Sequence, residues 1–244
     1  MATPDSTADR PAGATRTVRE ERRPTPMRRT IARRLHESYS EAVHVTASRV
    51  VDAEALLAAV ERADTGDAHH PTVSDLLLVA VSETLTRHPA FNATFEDGTH
   101  RLYEEHNVGY GVDIDGGLVA PVVADVGSLS LSAVHDRRTQ AVERVRTGEF
   151  DAADLAGGTF TVSNLGPLGV DSFTPIINPP QVAILGVGRL RERAVRDDGD
   201  GVAFRRHLPL DLSFDHRVVD GADAGRFLRT LAEQIEDAER LLDR

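Results

Sequence analysis

From residue 208 to 214 the chain alternates, with Leu208, Leu210, Leu212 and Phe214 at every second position and Pro209, Asp211 and Ser213 between them. A period of two is that of a strand with one face turned to a core. The next position of the same parity is His216, where another apolar residue would extend the strip. Four residues later Asp220 precedes a glycine and the stretch "GADAGRFLRTLAEQIEDAERLL", which has helical spacing. The pattern therefore ends a strand at a histidine that stands just before a helix.

Elsewhere the period switches between two and 3.6. "TPMRRTIARRLHESYSEA" predicts a helix, since Thr25 and Pro26 suit its start and Met27, Ile31, Leu35 and Tyr39 recur at helical spacing. "HVTASRVV" predicts a strand with Thr46, Ser48 and Val50 on one face. "DAEALLAAVERAD" predicts a helix capped by Asp52, and "TVSDLLLVAVSETLTRHP" a longer, more apolar one, deep in the core and stopped at Pro89. "ATFEDGTHRLY" predicts a hairpin turning at Asp97-Gly98, and "NVGYGVDIDGGLVAPVV" two strand runs around Gly116-Gly117. A helix is expected from Ser132 to Arg146, followed by strands in "GGTFTVSNLG", "QVAILGVGRL" and "RRHLPLDLSF". With no repeat and no interior linker, residues 26–244 read as one mixed α/β domain. Residues 1–25, rich in Pro, Thr, Ala, Arg and Glu, read as a disordered tail.

Composition narrows the chemistry by exclusion. Acidic residues number 39 against 28 basic ones, for a net charge of −11, and every one of the 28 is arginine. Such an acidic, halophile-like surface argues against nucleic-acid binding, which needs a positive face. No apolar run approaches the ~20 residues of a membrane span, and the N-terminus lacks the apolar core of a secretory signal. A cytoplasmic protein without membrane contact is expected. The chain has no cysteine, hence no disulfide, thiolate nucleophile or Cys-based metal site. It has no lysine either, hence no Schiff base and no covalently attached cofactor of the lysine-amide kind on these residues. His69 and His70 lie in a polar loop with no third ligand in view, and no metal is expected. Gly109-x-Gly111 and Gly186-x-Gly188 lack the full fingerprint of a dinucleotide site, and "DIDGG" suits a β-turn better than a calcium loop.

Each polar candidate has an ordinary reading and a chemical one. An imidazole at His216 can take and return a proton near neutrality, or it is a buried histidine satisfied by a carbonyl. Asp220 is a favoured helix cap as much as a catalytic carboxylate. Ser163, in "TVSNLG", suits a strand-end turn. Arg28, Arg29, Arg33 and Arg34 are either a solvated basic face or a site for phosphates.

The spacing in "DHRVVDG", together with "PMRRTIARRLHES", "NVGYGVDIDGGLVAPVV", "GGTFTVSNLG" and "FTPIINPPQVAILGVG" in that order, resembles the catalytic domain of the acyltransferase component of 2-oxoacid dehydrogenase complexes. That family is related to chloramphenicol acetyltransferase. The resemblance runs from Pro26 to the C-terminus. It implies a mixed sheet with flanking helices, assembled as a homotrimer or a larger symmetric core. It implies that His216 is the general base toward the thiol of coenzyme A or dihydrolipoyl, that Ser163 stabilises the oxyanion, and that Asp220 holds the geometry. Ser163 and His216 would then face each other across a subunit interface, in a channel entered from its two ends. Coenzyme A is the implied substrate, and Arg28, Arg29, Arg33 and Arg34 are candidates for its phosphates. "INPP" reads as a rigid channel loop with no chemistry of its own.

The long members of that family carry lipoyl and peripheral subunit-binding domains. Only about 25 polar residues precede the domain here, so neither is expected in this chain. The lipoyl group would arrive on a separate carrier protein, and 2-oxoacid dehydrogenase and dihydrolipoamide dehydrogenase subunits are candidate partners. Two alternatives stay open: a coenzyme A-dependent acyltransferase for a small-molecule hydroxyl or thiol, and a catalytically silent assembly core.

Overall fold

The structure is a computed structural model that describes residues 16–63, 70–115, 117–196 and 201–243. His69, Gly116 and most of the expected tail lie outside the described residues. Residues 16–25 are exposed and enter neither helix nor strand.

Helix α1 (Pro26–Glu41) starts where expected: Thr25 Oγ1 accepts the Arg28 amide N–H at 3.2 Å, and Pro26 has no N–H to satisfy. Strand β1 (His44–Asp52) leads to α2 (Glu54–Ala63), whose first amide donates to Asp52 Oδ1 at 2.9 Å. The apolar α3 (Val73–Arg87) is capped by Thr72 and Asp75 and ends before Pro89, inside the core. Strands β2 (Ala93–Glu96) and β3 (Thr99–Leu102) form the hairpin, with Asp97 and Gly98 at φ 51° and 70° as a two-residue turn requires.

The next segment makes four short strands rather than two: β4 (Val108–Tyr110), β5 (Val112–Ile114), β6 (Gly117–Val119) and β7 (Val122–Val123). The glycines and Pro121 break the run into two nested pairs, β4 with β7 and β5 with β6. Helix α4 (Leu131–Thr147) and strands β8 (Phe160–Asn164) and β9 (Ala183–Val187) follow. Then come β10 (Arg191–Arg196), which the sequence reading left out, and a long β11 (Val202–Asp215). The last helix, α5 (Gly221–Glu236), is shorter than expected, because Asp237 breaks it and a 3-10 turn takes over from Ala238.

The main sheet has seven strands in the order β1-β11-β9-β8-β4-β7, with β10 on the outer half of β11. Strand β8 runs parallel to β4 and β9, and the other pairs are antiparallel. Register sorts its residues by face. On one face Val162, Leu185 and Leu212 stand in a row, with Phe160 and Phe214 two residues along. Phe227 of α5 stacks on Phe160 at 5.8 Å and meets Phe91 at 4.8 Å. Each of these buried side chains contributes about 1.5–3 kcal/mol.

On the other face Ser163, Gly186 and Asp211 share a row, and Thr161, Ile184 and Ser213 the next. The alternation had predicted a wet face here, yet Asp211 and Ser213 are 2% and 0% exposed. A strap, residues 170–181, covers them. Asp211 accepts from Ser172 Oγ and the Phe173 amide at 2.9 and 3.1 Å, and from Ser48 Oγ at 2.5 Å. Thr46 bonds Ser213 at 2.7 Å, and Thr161 Oγ1 donates to Gln181 at 2.6 Å. Full pairing is what lets polar side chains lie buried there.

Candidate active site

Strand β11 stops at Asp215, one residue short of the histidine. The Asp215 carboxylate turns back to pair with Arg217 at 2.6 Å and accepts the Val43 amide at 3.2 Å, while Arg217 lies over the Phe95 ring. Burial alone would raise the Asp215 pKa. The Arg217 guanidinium and the amides of Arg217 and Val43 outweigh it and hold the carboxyl below its ordinary range. On this corner the His216 amide donates to Val43 O at 2.9 Å. The His216 ring is exposed, 5.8 Å from the Phe214 ring, and makes no side-chain hydrogen bond among the described residues. The apolar strip of β11 thus ends at Phe214.

Asp220 is the N-cap of α5. Its Oδ1 accepts the amides of Ala222 and Asp223 at 3.0 and 3.3 Å. The side chain is exposed.

Ser163 is 3% exposed, and among the described residues its hydroxyl makes no hydrogen bond, although it shares a face on which its neighbours are paired. The strand positions on either side carry no side chain. A Cβ on Gly111 would lie 3.3 Å from Ser163 Oγ, and one on Gly186 would press on Phe173 at 3.0 Å. An apolar cavity of about 320 Å³ adjoins Gly111 and Thr161, walled by Ile31, Leu118, Leu155 and the strap residues Ile176, Asn178 and Pro179. Sequence reasoning weighed Gly109 and Gly111 only as a dinucleotide motif. The available signal was their period of two, matching Thr161 and Ser163 on the neighbouring strand.

The four arginines do not act as one patch. Arg28 lies against Gly117, Arg29 donates to Pro24 O at 2.7 Å, and Arg33 is exposed. Of the four, only Arg34 lines the cavity, where it donates to Pro179 O at 3.0 Å. Behind the site Tyr110, between the two glycines, bonds Ser74 at 2.9 Å and carries the Arg138 guanidinium over its ring. Arg138 is fixed in turn by the fully buried Asp75, at 2.5 Å, with His135 on the same carboxylate. Burial would raise the Asp75 pKa, but Arg138, His135 and the Thr72 amide together hold it below the ordinary range. Among the described residues no group of three or more His, Asp or Glu could hold a metal. No helix there is long and apolar enough to cross a membrane.

One chain does not bring Ser163 and His216 together. Asp211 is in register with Ser163 across two strand spacings, and His216 lies five residues further along β11. At ~3.3 Å per residue and ~4.8 Å per strand, the two groups are roughly 19 Å apart.

A mixed sheet flanked by helices in this order is a chloramphenicol acetyltransferase-like fold. A solved chloramphenicol acetyltransferase shares the fold, with a TM-score of 0.52 at 16% identity over 86% of this chain and 94% of its own. The family model for 2-oxoacid dehydrogenases acyltransferase (catalytic domain) matches residues 17–243, and the chain belongs to that family. The dihydrolipoyllysine-residue succinyltransferase of the 2-oxoglutarate dehydrogenase complex of Bartonella vinsonii is 39% identical over 231 residues, which are 92% of this chain and 56% of that one. The chain thus spans about half the length of that relative. The structure of Azotobacter vinelandii dihydrolipoamide acetyltransferase superposes with a TM-score of 0.84 at 34% identity, covering 91% of this chain and 93% of that one. That enzyme was studied for the role in its mechanism of a serine, a histidine and an asparagine four positions after the histidine.

Proposed function

We propose that this chain transfers acyl groups between coenzyme A and a dihydrolipoyl group carried in trans, with residues 26–244 as the catalytic unit. The observation that carries this reading is a pair of groups with no side-chain hydrogen bond among the described residues: the Ser163 hydroxyl, beside Gly111 in a nearly buried residue, and the His216 imidazole on a corner held through its backbone. His216 takes the proton of the attacking thiol. The thiolate adds to the thioester carbonyl, and the resulting oxyanion accepts a hydrogen bond from Ser163. The intermediate collapses, the second carbon–sulfur bond breaks, and the imidazolium returns its proton to the leaving thiolate. No acyl-enzyme forms, in keeping with a chain that has neither Cys nor Lys. Asp220 contributes by capping α5 and so fixing the His216 corner.

Catalysis needs the two groups within hydrogen-bond reach of one reacting centre. At roughly 19 Å within a chain, His216 of one copy serves Ser163 of the next. We therefore read a homotrimer, able to build a larger symmetric core, and the exposed Leu35, Tyr39 and Val43 as surface that it covers. Arg34, at the cavity rim, is the favoured contact for coenzyme A phosphate. A lipoylated carrier protein and the 2-oxoacid dehydrogenase and dihydrolipoamide dehydrogenase subunits are the proposed partners, in the cytoplasm.

Steady-state transfer from acetyl-, propionyl-, isobutyryl- and succinyl-coenzyme A to free dihydrolipoamide tests this. Transfer should occur with at least one donor and fall about 10²–10⁴-fold in His216→Ala, with the assembly unchanged by light scattering. Absence of transfer with every donor refutes the reading.

A further inference from the structure

His44 stands at the start of β1, opposite Asp215 in the register. Its ring links three parts of the chain. Nδ1 lies 3.3 Å from Ala42 O, and Nε2 lies 3.1 Å from the Ile177 amide nitrogen. A carbonyl only accepts and an amide N–H only donates, so these two contacts define a neutral ring with its proton on Nδ1. On the other side of the same residue, Ser38 Oγ of α1 donates to Ile177 O at 2.6 Å. Ile177 is buried, and both of its backbone groups are held, one by a helix and one by a histidine.

The two things that this tie connects belong to the chemistry. Val43, adjacent to His44, provides the carbonyl that holds the His216 amide and the amide that binds Asp215. Ile176, Asn178 and Pro179, adjacent to Ile177, wall the cavity beside Ser163. In a chain whose His216 and Ser163 serve different centres, a short link between the two half-sites runs through His44 Nε2.

We propose that His44 is a positioning residue, which sets the His216 corner against the strap by accepting the Ile177 amide. The reasoning rests on His216 being the base. A histidine is suited to the post because it offers an acceptor and a donor on one rigid ring, where an apolar residue would leave the buried Ile177 N–H unpaired. A slip of about 1 Å in a reacting group can cost on the order of 10²-fold in rate, so the loss should fall on kcat.

The test compares His44→Phe, which keeps the ring's bulk without an acceptor, with His44→Gln, which places an amide oxygen near the position of Nε2. Transfer kinetics and hydrogen–deuterium exchange of the strap are measured on the intact assembly. In H44F, kcat should fall about tenfold to a hundredfold with KM within a factor of about two, and the peptide covering residues 174–181 should exchange faster. H44Q should restore most of both. Unchanged kcat and exchange in H44F overturns the proposal, and so does an H44Q as damaged as H44F, which would assign the effect to ring shape. If H44F does not fold, Ser38→Ala cuts the other half of the tie and must lower kcat in the same sense, and its failure to do so overturns the proposal. Should the wild type transfer no acyl group, the function proposed above falls, while the exchange comparison still decides whether His44 holds the strap.

Discussion

The two faces of the central sheet use the same strands in opposite ways. Toward α5 the rows are Val162, Leu185 and Leu212, with Phe160 and Phe214 beside them, all buried among carbon. Toward the strap they are Ser163, Gly186 and Asp211, then Thr161, Ile184 and Ser213. Both faces are buried, but the energies differ in kind. A buried large apolar side chain yields about 1.5–3 kcal/mol, whereas a satisfied hydrogen bond nets about 0.5–1.5 kcal/mol, and an unsatisfied buried group costs about 1–3 kcal/mol. The apolar face supplies stability and the polar face supplies placement. Among the described residues, Ser163 is the hydroxyl in these rows that the placement leaves without a hydrogen bond.

The sharpest way to break this contrast is to truncate one residue on each side. Phe227→Ala removes the ring that stacks on Phe160 and meets Phe91, and it should cost about 3–5 kcal/mol in a denaturant melt. Activity per folded molecule should change little. Ser163→Ala removes an unpaired hydroxyl, so its melt should stay within about 0.5 kcal/mol of wild type. Its kcat should drop about 10²–10³-fold, as for the loss of an oxyanion donor. If Ser163→Ala unfolds the protein or leaves kcat intact, the division of labour between the faces is wrong.

The apolar face was legible in the sequence because alternation states it directly: Leu208 to Phe214 are buried as their spacing implies. The burial of Asp211, Ser213 and Asp215 was not legible. Asp211 is covered by the strap, which has no periodicity and reads as a loop 38 or more residues away in the chain, while Ser213 pairs with Thr46 of β1 and Asp215 with Arg217 and the Val43 amide. Strand β10 was missed for a related reason. "RERAVR" alternates little and owes its form to pairing with β11. The pattern puts His216 on the strand parity where a strand ends before a helix, and β11 does end one residue before it. The resemblance already implied that His216 and Ser163 meet across an interface; the register adds how far apart one chain holds them.

Acid should unpick the carboxylates that anchor the two faces, in two steps. His88, partly buried behind α5 and bonded to Thr230 at 2.8 Å, has its pKa lowered first by burial and then by nearby arginines. The unfolded chain then binds its proton more readily, so stability begins to fall as pH drops through the ordinary imidazole value of about 6.5. Asp75 and Asp215 have lowered folded pKa values, so their contribution is present above the ordinary carboxylate value of about 3.9 and is lost as pH falls below it. Thermal melts from pH 8 to 2 should show a shallow decline and then a steep one. Asp75→Asn should flatten the steep limb, and an unchanged limb would mean that the Asp75–Arg138 pair contributes nothing to acid sensitivity.

The smallest expected effect separates the two roles of Asp220. As a cap, its Oδ1 accepts two amides at the start of α5, while the backbone N–H of Asp220 faces Asp223 Oδ2 at 3.4 Å. Asparagine caps about as well as aspartate, and alanine does not. Asp220→Ala should therefore lose about 1 kcal/mol of stability, and Asp220→Asn a few tenths at most, chiefly through the helix dipole. If Asp220 acts only by fixing the corner, kcat in the two variants should track the cap: near wild type in Asp220→Asn and lower in Asp220→Ala. A kcat that collapses in Asp220→Asn while the melt stays unchanged would give the carboxylate charge itself a part in the reaction, and would move Asp220 from the scaffold to the chemistry.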